Sequence, residues 1–598
     1  MPVARPAPFK PVVSAILFVA CSIAFAILAW TWDRAAIGVA WEAYATPSRL
    51  FANALPGLLF AMALLALTRR IALSFAISCG VYWLVYCIEG TKLEILGDPI
   101  GLQDFFFFSN IDIPSLKLFW EYVQHPFLAL SAGALCLLAI VFAWRMEPPA
   151  YRTAPARLPF VLVPLVLAFL LARGGWPWDR LYSTDTVMPA RFSEIPAVLH
   201  AGQVPALVFS SVRSSKTIRA IDEDSLEWLL AHAPPRTKPM SLGGKPDVVV
   251  VLSESFFDPH VIKGMDALPD NIPNVREAIS SGHGGYMRVP TFGGGTIRTE
   301  FEVLTGVPMR SFPGIRFPYA GLVHDRTPGL VRLLKSHGYR AVAIHGNAGS
   351  FWNRNNAFKS IGFDGFITER DFPNDAEHDG KWISDRAMTD LLIRELDRST
   401  QPTMIFAISI EAHGPYTYPD ESTRQARDAI EVPAGITAAQ ASALRVYLYH
   451  QRHADREFGR LLQALRQRQR PTVLLFFGDH LPGFPSLFDA LGTVDKRPAV
   501  KQYVPWVLLR TDSPGIRFDG YRESWMLPGA VAELAGLPDD YFALTQRLAH
   551  AAEGKPAYVQ GKVMDGLTAA ATARLDGSFE RRAKGHPGKP AGRRRQAQ

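Results

Sequence analysis

Four continuous apolar runs in this chain each end in a carboxylate or a histidine. The polar residues at or just after the ends of these runs are Glu254, His345, Glu411, His413, Asp479 and His480. Continuous apolar runs of this length are typical of strands buried in a parallel sheet. Because ligands bind just beyond the carboxyl ends of strands in open α/β sheets, these residues are expected together at one edge. The pattern predicts a doubly wound α/β domain with a mostly parallel sheet.

The front of the chain has a different composition and predicts a transmembrane domain. Five uncharged stretches lie there, at residues 11–32, 50–68, 71–88, 126–144 and 158–172. A helix of about 20 apolar residues spans a bilayer, so five transmembrane helices are expected. For the short fifth stretch, a buried hairpin or interfacial segment is the alternative. The first stretch lacks a clear cleavage site, which favours an uncleaved anchor over a signal peptide.

Basic residues in the short loops predict the orientation of these helices. They precede the first stretch and separate the second from the third and the fourth from the fifth: Arg5, Lys10, Arg69, Arg70, Arg145, Arg152 and Arg157. All these loops lie on one side of the membrane, which the positive-inside rule assigns to the cytoplasm. The remainder of the chain is then expected to be extracytoplasmic. The Ala-, Arg- and Pro-rich composition favours a Gram-negative bacterial host, in which this would be the periplasmic side of the cytoplasmic (inner) membrane.

Composition predicts four consecutive parts. These are a transmembrane domain at 1–175, a linker at 176–244, a catalytic domain at 245–545 and a C-terminal extension at 546–598. Helical patterns at 327–338, 385–398 and 438–470 precede strands, which is typical of a parallel sheet. The formal net charge is +8, and the last 22 residues carry seven basic residues against one acidic residue. This basic tail is expected to be disordered, and it either contacts anionic headgroups or is solvated.

The cysteines are confined to the predicted transmembrane stretches. The chain has four, Cys21, Cys79, Cys87 and Cys136. The extracytoplasmic part has none, which excludes disulfides and a cysteine nucleophile there.

A metal site is predicted where two of the apolar runs end. Asp479 and His480 follow one run and a glycine, and Glu254 ends another. Carboxylate and imidazole ligands suit Mn²⁺, Zn²⁺ or Mg²⁺. The alternative is that these polar groups are merely hydrogen-bonded at loop ends.

The candidate nucleophile is Thr296, in the segment RVPTFGGGTIRTEFEVLTG at 288–306. The three glycines before it allow close approach of a ligand, and the helical pattern that follows would direct its amides at an anion. A hydroxyl beside a divalent cation is an activated nucleophile. The alternative is that Thr296 is an ordinary helix N-cap.

Two further segments carry groups that suit a phosphorylated substrate. Trp352 and Arg354 lie two residues apart; an arginine supplies fork-shaped donors to phosphate, and an aromatic ring packs on a glycerol or headgroup. His413 is a candidate to bind phosphate or to protonate a leaving oxygen. The alternatives are packing for Trp352, a surface charge for Arg354 and a hydrogen-bonded core histidine for His413.

Taken together, these motifs resemble the lipoteichoic acid synthase and phosphoglycerol transferase branch of the alkaline phosphatase–sulfatase superfamily. The matching segments are LSES at 252–255, GGTIRTEF at 294–301, SFWNR at 350–354, AHGPY at 412–416 and GDH at 478–480. The resemblance implies a five-helix transmembrane domain followed by an α/β sulfatase-like domain.

The resemblance also implies roles for individual residues. One divalent cation, usually Mn²⁺, would be held by Glu254, Thr296, Asp479 and His480, with Thr296 as the nucleophile. Glycerophosphate would be bound by Trp352, Arg354 and His413, with His345 nearby.

The implied reaction is transfer of glycerophosphate from phosphatidylglycerol through a phospho-threonine, with release of diacylglycerol. The acceptor would be an extracytoplasmic glycan or polyglycerophosphate chain, and nucleic acid is not an expected partner. Two alternatives are a phosphoethanolamine transferase acting on lipid A or glycan, and a non-catalytic lipid-sensing homologue.

Overall fold

The computed structural model describes residues 10–38, 46–96, 99–101, 126–151, 155–183, 201–214, 221–232, 243–312, 315–416, 421–515, 517 and 523–585. The chain divides into two compact units, Met1–Ile218 and Arg219–Gln598. The division falls inside the predicted linker at 176–244. The end of the basic tail, from residue 586 onward, lies outside the described residues.

The first unit is helical where it is described. Its helices are α1 (Pro11–Ile37), α2 (Pro47–Thr68), α3 (Ile71–Leu96), α4 (Pro126–Met146), α5 (Leu158–Ala172), α6 (Trp178–Leu181) and α7 (Gln203–Ser214). Within the described residues, three stretches are long and apolar enough to cross a membrane: Pro11–Ile37, Pro47–Thr68 and Ile71–Leu93. The other two predicted spans are also helical, but five crossings remain a prediction.

The tight turn between α2 and α3 shows how this unit is held together. Arg69 ends α2 in a left-handed conformation, with φ 61°. The carboxylate of Glu147 accepts hydrogen bonds from the backbone N–H groups of Ala72 and Leu73, at 2.8 and 2.9 Å. Because the first amides of a helix have no partner within it, this carboxylate caps α3 and ties it to the end of α4.

The second unit contains nine strands and fourteen α-helices in its described part. The strands are β1 (Asp247–Ser253), β2 (Gly284–Met287), β3 (Arg340–His345), β4 (Gly365–Ile367), β5 (His378–Asp379), β6 (Trp382–Ile383), β7 (Thr403–Ile408), β8 (Thr472–Gly478) and β9 (Val504–Arg510). The helices are α8 (Glu223–Ala231), α9 (Pro273–Ala278), α10 (Ile297–Thr305), α11 (Pro318–Gly321), α12 (Leu330–Ser336), α13 (Arg354–Ile361), α14 (Asp385–Arg398), α15 (Arg424–Asp428), α16 (Ala438–Gln467), α17 (Pro485–Leu491), α18 (Leu527–Leu534), α19 (Asp540–Ala552), α20 (Ala557–Leu575) and α21 (Phe579–Gly585).

Seven of the strands form one sheet, in the order β2-β9-β8-β1-β7-β3-β4. The strands from β8 to β4 in this order pair in parallel, and β9 pairs antiparallel with both β8 and β2. The prediction of a mostly parallel sheet is confirmed. The antiparallel edge formed by β9 and β2 was not predicted.

Both faces of the sheet are covered, as expected for a doubly wound domain. Along β1, Val248, Val250 and Leu252 pack into one hydrophobic core, whereas Val249 and Val251 pack into a second. Successive side chains of a strand point to opposite faces, so a strand that is buried on both sides must be apolar throughout. This is why the strand sequences lack polar alternation.

The predicted C-terminal extension packs into the same unit as the sheet. Helix α20 lies against α8, and Leu567 and Phe579 are fully or almost fully buried in one of the two cores. The polypeptide therefore continues to build the core well past residue 545, up to α21.

Candidate functional site

The carboxyl ends of strands β1 and β8 bring three polar side chains to one edge of the sheet. The two strands are neighbours, and Ser253 pairs with Gly478 in their register. Glu254 follows the first strand, and Asp479 and His480 follow the second. Parallel neighbours end at the same edge, so the sheet itself places these residues side by side.

Thr296 completes this group, which we call the strand-end cluster (Glu254, Thr296, Asp479 and His480). His480 Nε2 lies 3.1 Å from Asp479 Oδ2 and 3.6 Å from Glu254 Oε1. Thr296 Oγ1 lies 3.4 Å from Glu254 Oε2 and 3.4 Å from His480 Nε2. None of the four residues is more than 5% exposed. The structure thus brings together all four residues predicted to hold the cation.

A glycine loop and a helix start position Thr296. Gly295 has φ 74°, and a side chain there would meet Thr291 Oγ1 at 2.9 Å. The backbone N–H of Gly293 donates to Leu481 O at 3.0 Å, which ties the loop to the segment after β8. Thr296 is the N-cap of α10, but its hydroxyl forms no capping hydrogen bond. The hydroxyl is therefore directed at the cluster and does not serve the helix.

Ser255 is a member of this site that sequence reasoning missed. Its hydroxyl donates to Glu254 Oε1 at 2.9 Å, and its backbone N–H donates to Asp479 Oδ1 at 2.8 Å. It adopts a left-handed conformation with φ 54°, and Tyr447 donates a hydrogen bond to its carbonyl. Non-glycine residues in this conformation concentrate at functional sites. Its place within the LSES segment was the available signal.

The electrostatics of the cluster favour a cation. Burial, followed by the neighbouring charge of Glu254, raises the pKa of Asp479 well above its usual range. Burial lowers the pKa of His480, which keeps its imidazole neutral and able to act as a ligand. Asp479 Oδ2 is buried without a hydrogen-bond donor of good geometry. Two buried carboxylates, an imidazole and a hydroxyl fit a divalent cation.

A buried ion pair lies next to the cluster. Glu300, one turn after Thr296 on α10, pairs with Arg354, and both side chains are at most 2% exposed. Arg354 Nη1 lies 3.4 Å from His345 Nε2, and Tyr319 donates to Glu300 Oε2 at 2.8 Å. Burial and then the charge of Arg354 lower the pKa of His345 well below its usual value. Arg354 is thus not the surface charge that was considered as an alternative.

The other two predicted substrate residues lie in less buried positions. Trp352 has φ 59° and packs against Phe317 and Phe351. His413 lies against Trp382, whose Nε1 donates to the His413 carbonyl at 3.0 Å. The His413 ring Nδ1 lies 2.7 Å from Gly414 O. The role of Trp352 and His413 in substrate binding stays a prediction.

Glu411 does not join the strand-end cluster, contrary to the expectation that all the polar residues ending the four runs meet. Its Oε1 accepts from two histidines of α16, His450 and His453. Its Oε2 accepts from the backbone N–H of Asp385. Glu411 comes three residues after the end of β7, and the connecting loop carries it to a different location.

Comparison with known proteins identifies the domain that contains this cluster. Residues 246–513 match the sulfatase family. A Rhizobium meliloti (strain 1021) protein named for modification of cyclic beta-1,2-glucan is 31% identical over 424 residues, covering 68% of this chain and 62% of that protein. A lipoteichoic acid synthase of Staphylococcus saprophyticus is 22% identical, and the match covers 45% of this chain and 42% of that protein. The chain thus spans less than two thirds of both relatives.

Among solved structures, the Streptococcus pyogenes phosphoglycerol transferase GacH in complex with sn-glycerol-1-phosphate is similar to this chain. The two are 20% identical in sequence, with a TM-score of 0.48, and the match covers 60% of this chain and 94% of the other chain. The sheet, the strand-end cluster and the family match agree with the superfamily expected from the motifs. Residues 246–513 of this chain form a domain of the sulfatase family.

Proposed function

We propose that the chain is a membrane-anchored transferase that moves glycerophosphate from phosphatidylglycerol to an extracytoplasmic glucan. The three long apolar helices would keep the domain near a lipid donor. The relative named for cyclic beta-1,2-glucan modification favours a glucan over a polyglycerophosphate chain as the acceptor.

The placement of the Thr296 hydroxyl is the observation that carries this proposal. It lies within 3.4 Å of a carboxylate and an imidazole, and it is not used to cap its helix. A hydroxyl that lies among cation ligands and does not cap its helix is placed to act as the nucleophile of covalent phosphoryl transfer. Glu254, Asp479 and His480 would hold the divalent cation, predicted to be Mn²⁺. When bound, it would supply charge to stabilise a threonine alkoxide and the phosphate oxygens.

The reaction would proceed in two displacements at phosphorus. Thr296 Oγ1 gives up its proton and forms a bond to phosphorus as the bond to the diacylglycerol oxygen breaks, and that oxygen takes up a proton as it leaves. An acceptor hydroxyl then gives up its proton and forms a bond to phosphorus as the bond between phosphorus and Thr296 Oγ1 breaks, and Thr296 Oγ1 takes up a proton again. His413 is the proposed proton donor to the leaving oxygen, and His345 and Arg354 would help bind the phosphate.

Donor and nucleophile can be tested together on the purified full chain. The chain is incubated with Mn²⁺, a β-glucan and fluorescent phosphatidylglycerol or phosphatidylethanolamine, and diacylglycerol is followed by thin-layer chromatography. We expect release from phosphatidylglycerol alone, no release with Thr296→Ala, and retained release with Thr296→Ser. Thr572→Ala is the matched control, because that hydroxyl only bonds within its own helix, to Thr568 O.

Three outcomes would contradict the proposal in different ways. Full activity of Thr296→Ala, together with no phosphorylated adduct by intact mass, would eliminate the covalent mechanism. Release from phosphatidylethanolamine alone would support the phosphoethanolamine alternative. No release from either lipid with the cation bound would support the lipid-sensing alternative.

A further inference from the structure

A second group of metal-type side chains lies away from the strand ends of β1 and β8. We call it the ribbon–helix cluster, and it consists of Asp379, Glu411, His450 and His453. Asp379 lies on the two-stranded ribbon of β5 and β6, and Glu411 lies on the loop after β7. Both histidines lie on α16, one turn apart. Residues three apart on a helix share a face, so the two imidazoles point the same way.

The ligand atoms of the ribbon–helix cluster converge on one point. Glu411 Oε1 lies 3.1 Å from His450 Nδ1 and 2.7 Å from His453 Nδ1. Asp379 Oδ2 lies 3.9 Å from His450 Nδ1 and 3.3 Å from His453 Nδ1. All four ligand atoms lie within 4.8 Å of one another.

These separations match the size of a tetrahedral metal site. Bonds of about 2.0–2.1 Å at tetrahedral angles place neighbouring ligand atoms about 3.3 Å apart. The four measured separations, from 2.7 to 3.9 Å, lie on both sides of that value. Small side-chain adjustments would therefore suffice to close the four atoms around an ion.

The surroundings of the cluster also hold its ligands in place. The second oxygen of Glu411 accepts from the backbone N–H of Asp385 at 2.7 Å, at the start of α14. A hydrogen bond of this kind orients a metal-ligating carboxylate. The Glu411 side chain is 1% exposed, whereas that of His453 is 19% exposed. The cluster is thus fixed on one side and open to solvent on the other.

We propose that Asp379, Glu411, His450 and His453 bind a second divalent cation of the zinc class. Two imidazole nitrogens with two carboxylate oxygens form a donor set that suits Zn²⁺, and the two carboxylates neutralise its charge. Because the ligands come from the ribbon, the loop after β7 and α16, the ion cross-links these three elements. The strand-end cluster shares none of these ligands.

The test is metal counting on the full chain in detergent. The protein is stripped with a chelator, reloaded with zinc chloride, desalted and measured by inductively coupled plasma mass spectrometry. Four proteins are compared: wild type, Glu411→Gln, Asp479→Asn and the double variant. We expect each single variant to retain one fewer ion per chain than wild type, and the double variant to retain none. His337→Gln, at an exposed histidine outside both clusters, is the control and should match wild type.

Coordination at the cluster is checked by cobalt substitution. Tetrahedral Co²⁺ absorbs visible light strongly, and we expect this band in Asp479→Asn but not in the double variant. If Glu411→Gln does not fold, Asp379→Asn replaces it, since Asp379 lies on the ribbon and not in the core. A folded Glu411→Gln or Asp379→Asn that retains as much zinc as wild type would overturn the proposal. So would the loss of all zinc from Asp479→Asn alone.

Discussion

The strand-end cluster and the ribbon–helix cluster contain similar side chains but are built differently. In the first, the carboxylates and the histidine follow directly after neighbouring strands of one sheet, and the His480 side chain is 2% exposed. In the second, the ligands come from a ribbon, a loop and a helix, and the His453 side chain is 19% exposed. The position of the first is set by strand register, whereas that of the second depends on the packing of separate elements.

The largest expected effect separates the two clusters by function. Asp479→Asn should reduce diacylglycerol release by about 10³-fold, because cation stabilisation of the transition state contributes several kcal/mol. The ion of the ribbon–helix cluster should remain. Release is measured by thin-layer chromatography, with Asp489→Asn, at an exposed position, as the control. Normal activity of Asp479→Asn would show that the strand-end cluster is not the reaction centre.

The next prediction compares how much a buried ion pair next to the strand-end cluster and an exposed ion pair contribute to the free energy of unfolding. Glu300→Gln leaves Arg354 charged and unpaired in the interior, so the free energy of unfolding should fall by about 3–5 kcal/mol. Adding Arg354→Met should restore much of this loss. Urea unfolding followed by tryptophan fluorescence measures both. Glu421→Gln breaks an exposed pair with Arg424 and should cost at most about 1 kcal/mol. If Glu300→Gln and Glu421→Gln lowered the free energy of unfolding equally, this interpretation would be wrong.

A third prediction concerns the pH dependence of stability that arises from Glu302, on helix α10. Burial raises the pKa of Glu302 to about 7, although Ser524 and the Met309 N–H donate to it. Because the pKa is raised in the folded state, its contribution to stability is complete below about pH 4.5 and is lost as the pH rises through about 7.

The loss reaches at most about 3.5 kcal/mol, because the pKa rises from 4.5 to about 7 and each pKa unit corresponds to about 1.4 kcal/mol. Glu302→Gln should remove this part of the pH dependence of urea unfolding, whereas Glu277→Gln, at an exposed position, should not. The same pH profile in wild type and Glu302→Gln would refute the assignment.

The smallest expected effect concerns the helix that carries both histidines of the ribbon–helix cluster. Thr437 and Gln440 form a capping box at the start of α16. Thr437→Ala should lower the free energy of unfolding by about 1 kcal/mol, because it removes the cap of this helix. Diacylglycerol release should be unchanged. If diacylglycerol release fell by more than the loss of folded protein accounts for, α16 would be coupled to the strand-end cluster.

The sequence was sufficient to predict the parallel strands, because β1, β3, β7 and β8 are buried on both faces and their central residues are apolar. The strand-end cluster was predictable for the same reason, since its residues follow those strands. The helix predicted over 327–338 is shorter in the structure, Leu330–Ser336, because Gly329 lies in an extended conformation tight against the Leu304 carbonyl.

The ribbon–helix cluster could not be predicted in this way. His450 and His453 lie within a long basic helix, and only the packing of α16 brings them to Asp379 and Glu411. The LSES segment was a signal for Ser255, but the contacts of this residue depend on a left-handed backbone conformation that the segment alone does not reveal.

The pairing of Ser253 with Gly478 determines where this chain can tolerate inserted residues. Connections between strands can gain residues at small entropic cost. One residue added within β1 or β8, however, would turn Glu254 or Asp479 to the opposite face of the sheet. Insertions that preserve function should therefore fall outside these two strands, and a single-residue insertion within either should eliminate the strand-end site while most of the fold remains.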